Sequence, residues 1–322
     1  MNVHRILVTG ANGFIGRRLC SVLQASGITA RAAVRQKSDS APGEGDFVAV
    51  GGIDENTDWD AAVDGISSII HLAGRAHVLR DDQSNPLSAY RRVNVSGTVR
   101  LARTAAMSGV KRLVFVSSIK VNGEATGEIP FTELDVPHPV DPYGVSKLEA
   151  EEQLKMIGDE TGLEIVVVRP PLVYGPGVKG NFLSLLRLIR RGIPLPLGAC
   201  MNRRRMIGLD NMVALLVLCA MHPRAAGNVF LAGDQEDVST PLLVERMANA
   251  LSLKSRLVSV PPALLRILAG AMGRHGVYDR LCGSLRVDIG HAQKVLGWTP
   301  AVSMEEELAR TASWFLSMDC EA

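Results

Sequence analysis

Cysteine is scarce in this chain, and its scarcity excludes two kinds of framework. Only five cysteines occur among 322 residues, their number is odd, and no two of them stand in a Cys-x-x-Cys pair. Zinc sites and disulfide scaffolds depend on paired or closely spaced cysteines. We therefore predict no metal site and no disulfide framework, and scattered free thiols of this kind are typical of the reducing cytoplasm.

Long apolar runs and a strong charge imbalance are also missing. The net charge is +2, and the one basic run, Arg203 to Arg205, is too short to indicate nucleic-acid binding. The apolar stretch at residues 263–272 contains Arg266 and is shorter than the roughly 20 residues that span a bilayer. The first residues lead directly into a predicted strand, without the pattern of a signal peptide. We expect a cytoplasmic protein with no integral membrane segment and no nucleic-acid partner.

What the sequence does contain is a regular alternation of strand and helix patterns. Apolar residues make up 47% of the chain and charged residues 21%, as in a soluble globular enzyme. Short apolar, β-branched runs predict strands at residues 5–9, 29–34, 47–50, 66–72, 110–116, 163–168 and 228–231. The alternation predicts an α/β fold with a Rossmann-type doubly wound parallel sheet. Regularity decreases after Gly177, where the later segments predict a smaller C-terminal substrate-binding region.

A glycine-rich turn follows the first strand and precedes a helical pattern at residues 17–26. Gly10, Gly13 and Gly16 have the spacing Gly-x-x-Gly-x-x-Gly. The first glycine permits a tight turn, the second permits close approach to a pyrophosphate, and the third lets helix and strand pack closely. Backbone amides at the helix N-terminus would bind the phosphates. Strand, glycine turn and helix in this order predict a dinucleotide site.

The second predicted strand ends at Arg35, which bears on the choice of cofactor. Sites that prefer NAD usually carry Asp or Glu there to bind the ribose hydroxyls, whereas an arginine accommodates a 2′-phosphate. Lys37 and Ser38 could assist. We predict NADP(H) as the preferred cofactor, with NAD(H) as the alternative. Residues 1–176 and about 208–232 are assigned to the NAD(P)-binding domain, and about 177–207 and 233–322 to the substrate-binding region.

The segment Asp141-Pro-Tyr-Gly-Val-Ser-Lys147 is the candidate for proton transfer. Asp141 can cap a helix and Pro142 suits its first position, so Tyr143 and Lys147 lie one above the other on one helix face. A phenol has a reference pKa of about 10 and is a poor acid or base at neutral pH. An ammonium group beside it favours the phenolate and would lower that pKa toward working pH. The same spacing also occurs by chance in long helices, but the upstream glycine turn favours the functional interpretation.

Seven sequence motifs, in order along nearly the whole chain, resemble those of the extended short-chain dehydrogenase/reductase superfamily, of the NAD-dependent epimerase/dehydratase type. They are Gly10-x-x-Gly13-x-x-Gly16, His71-Leu-Ala-Gly74, Asn94-Val-x-Gly-Thr98, Ser117-Ser118, Tyr143-x-x-x-Lys147, Arg169-Pro-x-x-Val-Tyr-Gly-Pro-Gly177 and Leu296-Gly-Trp298. The resemblance implies an enzyme that acts on a nucleotide sugar. It implies that Tyr143 exchanges a proton with a sugar oxygen, that Ser118 hydrogen-bonds that oxygen, and that Lys147 binds the nicotinamide ribose.

The resemblance also implies which residues line the two ligand sites. Those expected to contact the cofactor are Gly10, Asn12, Gly13, Phe14, Ile15, Gly16, Arg35, Ile53, Leu72, Ala73, Gly74, Asn94, Ser117, Tyr143, Lys147 and Pro170. Those expected to contact a UDP-sugar substrate are Ser118, Asn181 and Arg204, with Arg280 or Arg286 as a second arginine, because a bidentate arginine suits a diphosphate. Arg75, His77 and Lys120 are further candidates for substrate contacts.

Departures from the family's patterns narrow the predicted reaction. Nucleotide-sugar dehydratases place acidic residues where this chain has Ile119 and Lys120, so dehydration is not expected. The run from Val116 to Glu124 resembles bacterial 4-keto reductases that make UDP-N-acetylquinovosamine or UDP-N-acetylfucosamine for the O-antigen of lipopolysaccharide. We predict NADPH-dependent reduction of a UDP-4-keto-6-deoxy-N-acetylhexosamine. The alternatives are a UDP-sugar 4-epimerase with tightly bound NAD and a non-catalytic NADP-sensing protein on the same fold.

Two further expectations follow from the resemblance. The family's adenine-contacting aspartate, in a Gly-Asp-Ile stretch, is absent, because this chain has Gly51-Gly-Ile53. The family commonly dimerises through the helices predicted at residues 86–108 and 143–160, where Leu148 and Leu154 are apolar candidates for the contact. We therefore predict a homodimer.

Overall fold

One parallel sheet organises the structure, a computed structural model that describes residues 4–36, 46–76, 85–271 and 275–318. The strands are β1 (Arg5–Thr9), β2 (Thr29–Val34), β3 (Asp46–Ala49), β4 (Ser68–His71), β5 (Arg112–Val116), β6 (Glu164–Arg169), β7 (Val173–Tyr174), β8 (Ile207–Gly208) and β9 (Val229–Leu231). Seven of them form the main sheet in the order β3-β2-β1-β4-β5-β6-β9, and β7 pairs with β8. The predicted strands are confirmed, with ends that differ by at most two residues.

Helices follow most of the strands and fill the C-terminal third of the chain. They are α1 (Phe14–Ala25), α2 (Asp60–Val63), α3 (Pro86–Arg91), α4 (Gly97–Met107), α5 (Pro142–Thr161), α6 (Gly180–Arg190), α7 (Leu209–Met221), α8 (Thr240–Ala250), α9 (Pro262–Ala271), α10 (His275–Cys282), α11 (Gly290–Leu296) and α12 (Met304–Met318). A π-helical turn (Arg92–Ser96) joins α3 to α4, and 3₁₀ turns occupy Ile119–Val121 and Pro223–Ala225.

The two faces of the main sheet pack against different helices. Along β1, Ile6 and Val8 belong to a buried cluster with α1 and α7, whereas Leu7 belongs to a second cluster with α2, α4 and α5. Strands that are covered on both faces need apolar side chains on both, which is why they are recognisable in the sequence as short continuous apolar runs. The predicted doubly wound α/β fold is confirmed.

A third buried cluster lies in the C-terminal part of the chain. It packs α6, α8 and α12 together, and it includes Tyr174 from β7, Phe182 and Phe315. Phe14 at the start of α1 also contacts this cluster, so the glycine turn lies next to it. The division into two domains with the boundaries given above stays a prediction.

The strand order reverses between β1 and β4, and this places a crevice at their carboxyl ends. Gly10 follows β1 there with a φ of +65°, and a side chain on it would come within 2.9 Å of the Ala73 amide nitrogen after β4. Helix α1 begins at Phe14, three residues before the predicted start, because the Gly13 amide closes the turn onto the Gly10 carbonyl at 2.9 Å. Gly16 thus lies inside the helix, where a Cβ atom would be 2.2 Å from the Gly10 oxygen.

The expectation that the cysteines form no disulfide is wrong for one pair. Cys200 and Cys282, which are 82 residues apart in sequence, are joined by a disulfide with their Cα atoms 5.4 Å apart. No local spacing signals this pair, because the approach depends on how α10 packs beside the loop that precedes β8. Cys20 and Cys219 are free and buried, and Cys320 lies outside the described residues.

Two expectations about surfaces can be compared with the fold. Among the described residues, no helix has both the length and the apolar character needed to cross a membrane.

Leu154 is fully buried in the core and cannot contribute to a dimer contact, which corrects that part of the homodimer prediction. The physical reason is that Leu154 belongs to the buried cluster that packs α5 against α4 and the sheet. Leu148 is half-buried.

A buried histidine connects three elements below the crevice. His71 ends β4, and its Nδ1 lies 2.6 Å from Thr9 Oγ1 on β1 while its Nε2 lies 3.0 Å from Thr98 Oγ1 on α4. Burial, with a smaller contribution from the charge of Lys147, lowers the pKa of His71 to about 3. The ring is therefore neutral at physiological pH, and its role is to cross-link these elements.

We expect His71 to make the protein less stable in mild acid. Its pKa is 6.5 in a model peptide and about 3 in the fold, so the stability linked to it is complete above pH 6.5 and is lost as the pH falls toward 3. Between pH 6.5 and pH 5 the free energy of unfolding should decrease by about 2 kcal/mol through this group. Urea unfolding at both pH values checks this, with His71→Gln losing that dependence. The exposed His138→Gln is the control, and an equal acid dependence in wild type and His71→Gln would contradict the prediction.

Candidate active site

Tyr143 is presented by the first turn of α5. Asp141 precedes the helix in an extended conformation, and its Oδ1 accepts a hydrogen bond of 2.7 Å from the Gly144 amide, while Pro142 occupies the first helical position. Both features were predicted, because a capping carboxylate and a proline are local signals of a helix start. They fix the direction in which Tyr143 leaves the helix.

Lys147 lies one turn further along α5 and is buried. Its Nζ donates to the Val116 carbonyl at 2.9 Å and lies 4.4 Å from the centroid of the Phe115 ring. The distance from Nζ to the centroid of the Tyr143 ring is 6.0 Å. Burial lowers the pKa of Lys147 to about 8, against a smaller opposing effect of Glu151. The ammonium form therefore predominates at neutral pH, close to the point where it loses a proton.

The phenol of Tyr143 hydrogen-bonds the side chain of Ser118, which follows β5. Burial raises the pKa of Tyr143 to about 12; the bond to Ser118 lowers it in part, and the charge of Asp141 raises it further. The expectation that Lys147 brings this pKa down toward neutrality is therefore wrong for the protein alone. The physical reason is that the phenol is buried, and the Lys147 ammonium group donates to the Val116 carbonyl.

The glycine turn and the ends of β4 and β5 form a cradle that fits a dinucleotide. Gly10 and Gly16 allow the backbone contacts described above, and a Cβ on Gly74 would come within 3.5 Å of Lys147 Nζ. The Oγ of Ser117 is buried without a hydrogen-bond partner in the described part of the chain. A buried hydroxyl group without a partner, at the edge of a glycine-lined cradle, is available to hydrogen-bond a polar group of a ligand. These observations fit the predicted nicotinamide cofactor.

Asn94 holds the outer wall of this cradle. Its Oδ1 accepts from the Arg75 amide at 2.8 Å, and its Nδ2 donates to the Arg75 carbonyl at 3.1 Å and to Ser146 Oγ at 2.9 Å. It lies in the π-helical turn, a local departure from α-helix that is frequent at functional sites. Because the amide is used in contacts within the protein, Asn94 positions the chain after β4 against α5. A direct contact with the cofactor stays a prediction.

The other residues predicted to contact the cofactor lie along the same edge of the sheet. Asn12, Phe14, Ile15, Leu72 and Ala73 follow β1 or β4, and the buried Pro170 follows β6. Ile53 is half-buried and packs against Gly97, where an added Cβ would be 2.5 Å from its Cγ2. Arg35 is exposed at the end of β2, as its proposed contact with a 2′-phosphate requires. Lys37, Ser38 and His77 lie outside the described residues.

Arg204 has the surroundings of an anion-binding arginine. It is half-buried, its Nη1 donates to the Gly283 carbonyl at 2.8 Å, and burial lowers its pKa. Within the described ranges no carboxylate lies within ion-pair distance of it. A guanidinium group without an acidic partner, partly removed from water, gains most from binding an external anion.

The two candidates for a second arginine differ in their surroundings. The Nε of Arg286 lies 2.6 Å from Asp237 Oδ2, and its Nη1 donates to the Glu128 carbonyl. Arg280 is exposed on α10, close in sequence to Gly283. Arg280 is therefore the better candidate, because Arg286 is committed to a buried carboxylate. Asn181 is exposed in the first turn of α6.

An aromatic ring and a guanidinium group lie beside Tyr143. The centroid of the Tyr90 ring is 6.0 Å from that of Tyr143, and the Arg75 guanidinium lies 5.5 Å above the Tyr90 ring. Arg75 thus stays a candidate for a substrate contact. Lys120, predicted for the same role, donates instead to two protein carboxylates, Glu124 at 2.7 Å and Asp141 at 2.5 Å.

Sequence reasoning missed a buried ion pair that supports this centre. Glu151 follows Lys147 by one turn, and its carboxylate accepts two bonds from Arg169 Nε and one from Nη2, while Arg169 Nη1 donates to Asn122 Oδ1 at 3.0 Å. The side chains of Glu151 and Arg169 are only 7% and 5% exposed. The available signal was Glu151 itself, a charge four residues after Lys147 on the buried face of α5.

Comparison with known proteins places these features in a family. Residues 6–233 match the NAD dependent epimerase/dehydratase family. The UDP-glucose 4-epimerase of Vibrio cholerae is 43% identical over 314 residues, which cover 97% of this chain and 95% of that protein. The N-acetyl-alpha-D-glucosaminyl-diphospho-ditrans,octacis-undecaprenol 4-epimerase of Escherichia coli O157:H7 is 29% identical over 261 residues, covering 80% and 75%. The solved structure of MoeE5 in complex with UDP-glucuronic acid and NAD is similar with a TM-score of 0.77 at 28% identity, covering 98% of this chain and 99% of that chain.

Proposed function

The chain belongs to the NAD dependent epimerase/dehydratase family, and from that premise we propose that it is a UDP-sugar 4-epimerase that retains NAD. The substrate class we propose is a UDP-hexose or UDP-N-acetylhexosamine that differs from its product only at C4. The similarity to the Vibrio cholerae UDP-glucose 4-epimerase, over almost the full length of both chains, supports this choice. It favours the epimerase over the 4-keto reductase that the sequence motifs alone suggested.

The observation that carries the proposal is the hydrogen-bonded pair of Tyr143 and Ser118 beside Lys147. Epimerisation needs a single group that takes a proton from the C4 hydroxyl and later returns it, and Tyr143 is suited to that task. Dehydration needs an additional carboxylic acid next to Ser118, where this chain has Ile119 and Lys120. Asp141 and Glu124 lie nearby, but both are held by Lys120.

Each group in the site would have a distinct role in the reaction. Bound NAD would supply the hydride acceptor for C4 of the sugar and the donor for its return. Tyr143 would accept the C4 hydroxyl proton during oxidation and donate it during reduction, with Ser118 holding the same oxygen in place. Tyr143 would therefore serve both directions of the reaction, whichever face of C4 is turned toward the cofactor. Lys147, with its Nζ 6.0 Å from the centroid of the Tyr143 ring, would bind the nicotinamide ribose.

Arg204 is the residue that we propose to bind the diphosphate of UDP. Its half-buried guanidinium has no acidic partner among the described residues, and two charge-assisted hydrogen bonds would satisfy it. The sugar must leave and re-enter the same position with its other face toward the cofactor. Holding the substrate by its diphosphate, away from the sugar ring, is compatible with that movement.

One observation favours the 4-keto reductase as a second candidate. Arg35 is exposed at the end of β2, where it could bind the 2′-phosphate of NADPH. In that case Tyr143, with its pKa raised to about 12, would act only as a proton donor to the C4 ketone. For either activity we propose a role in the synthesis of bacterial surface polysaccharide.

The homodimer stays a prediction, and light scattering can check it.

We expect the purified protein to interconvert UDP-glucose and UDP-galactose, or their N-acetylated counterparts, without added cofactor. Denaturation of the same sample should release about one equivalent of NAD(H) per chain, because an epimerase regenerates its cofactor in each turnover and has no need to exchange it. Mass spectrometry identifies the nucleotide and its phosphate content. Consumption of NADPH with a UDP-4-keto-6-deoxy-N-acetylhexosamine, without interconversion of any UDP-hexose pair, would support the reductase instead.

A further inference from the structure

Lys120 connects the segment that carries Ser118 with the segment that carries Tyr143, through both its side chain and its backbone. It lies in the 3₁₀ turn that directly follows Ser118, and its own amide donates to Ser118 Oγ at 3.2 Å. Its Nζ reaches Asp141 Oδ2 at 2.5 Å and Glu124 Oε1 at 2.7 Å. Lys120 and Asp141 are 21 residues apart in sequence, so this ion pair is a tertiary contact.

Asp141 uses its two carboxylate oxygens for two different purposes. Oδ1 caps α5 by accepting from the Gly144 amide, and Oδ2 binds Lys120. The backbone is close at the same point, since a Cβ on Gly144 would lie 2.9 Å from the Lys120 carbonyl oxygen. Tyr143 lies between the cap and Gly144, and its phenol is bonded to Ser118. Ser118 and Tyr143 are therefore connected in two ways. They share a direct hydrogen bond, and they are also linked through Lys120 and Asp141.

We propose that Lys120 is a positioning residue for the reaction: its ion pair with Asp141 fixes the start of α5 so that the Tyr143 phenol meets Ser118. This inference rests on the proposed function and adds to it a role for a residue whose ammonium group is occupied by protein carboxylates. Lys120 is suited to the role because its side chain stays protonated at physiological pH. Burial lowers its pKa, but the bonds to Asp141 and Glu124 outweigh this and raise the pKa above the usual value.

Lys120 also acts on the charge that Tyr143 experiences. The groups that face the phenol are Ser118, Asp141, Tyr90 on α3 and Lys147 on α5, with Arg75 above the Tyr90 ring. Of these, Asp141 is the carboxylate that opposes ionisation of the phenol. An ammonium group in contact with Asp141 offsets part of that field. Removing it should make Tyr143 harder to ionise and move the pH dependence of turnover to more alkaline values.

The test compares Lys120→Met with Lys120→Arg and with Glu124→Gln, which keeps the Lys120–Asp141 pair. We expect Lys120→Met to lower kcat by roughly tenfold and to shift the pH profile by about half a unit or more to the alkaline side, with KM nearly unchanged. Lys120→Arg should restore most of the rate, and Glu124→Gln should behave as wild type. An increase in KM at unchanged kcat would indicate a substrate contact and overturn the proposal, as would an unchanged pH profile.

A second measurement does not depend on turnover. With ¹³C at Cζ of the four tyrosines, the Tyr143 resonance can be assigned from its absence in Tyr143→Phe. Lys120→Met should move this resonance, while that of the buried Tyr174 stays in place and shows that the core is intact. A Tyr143 resonance that is unaffected by Lys120→Met would overturn the proposal. If wild type lacks epimerase activity, the proposed function fails, while the resonance still reports on positioning.

Discussion

Tyr143→Phe lowers the turnover of the UDP-sugar by roughly a thousandfold, the effect of removing a general acid and base. The substitution removes one oxygen atom and leaves the ring that contacts Tyr90. Because Ser118 can hold the sugar oxygen but is not expected to accept and return its proton, the remaining activity should be small. Rate measurements at saturating substrate, with the bound nucleotide quantified in parallel, check this.

The matched control is Tyr90→Phe. Tyr90 carries the same phenol 6.0 Å away, centroid to centroid, on α3 rather than on α5. Its removal should change turnover by less than about tenfold, because we give it no proton to transfer. If both variants lost activity equally, or if Tyr143→Phe retained most of its activity, the assignment of Tyr143 as the proton-transfer group would be wrong.

Glu151→Ala should destabilise the protein strongly. It leaves the Arg169 guanidinium buried with only Asn122 as a side-chain partner, and breaking a buried ion pair from one side costs about 3–5 kcal/mol. Glu151 also lies one turn from Lys147, so the helix face that carries the catalytic lysine loses its support. Urea or thermal unfolding, compared with wild type at pH 7, measures the change.

The same helix supplies a control for this prediction. Glu149 is also paired with an arginine, Arg91, but that pair is largely exposed, and Glu149→Ala should destabilise the protein far less than Glu151→Ala. A double variant, Glu151→Leu with Arg169→Met, removes both buried charges and should recover much of the loss. Equal effects of Glu151→Ala and Glu149→Ala would show that burial does not set the strength of this pair.

The features that the sequence predicted correctly depend on local chemistry. Gly10 was recognisable because it has a positive φ, and Gly16 because a Cβ atom there would come much closer to the Gly10 backbone than van der Waals distance allows. Asp141 and Pro142 were recognisable as a helix start for a similar reason. The strands followed from their continuous apolar runs, and only their ends were uncertain.

The features that the sequence did not predict depend on the distance between remote segments. The raised pKa of Tyr143 results from burial, which spacing along α5 does not reveal. Lys120 carries a charge that looked available for substrate until the structure placed Asp141 beside it. The choice between Arg280 and Arg286 needed the position of Asp237. In each case the sequence showed the type of residue but not which residue it contacts in the fold.

In the proposed reaction a hydride leaves C4 of the sugar and returns to its opposite face within one protein molecule. The most direct measurement supplies UDP-glucose, and separately UDP-N-acetylglucosamine, with deuterium at C4 and no added cofactor. NMR then follows the product. We expect the C4 epimer to form with deuterium still at C4, because the cofactor holds the label between the two steps. An epimer that has exchanged its label with solvent, or no epimer from either substrate, would contradict the account.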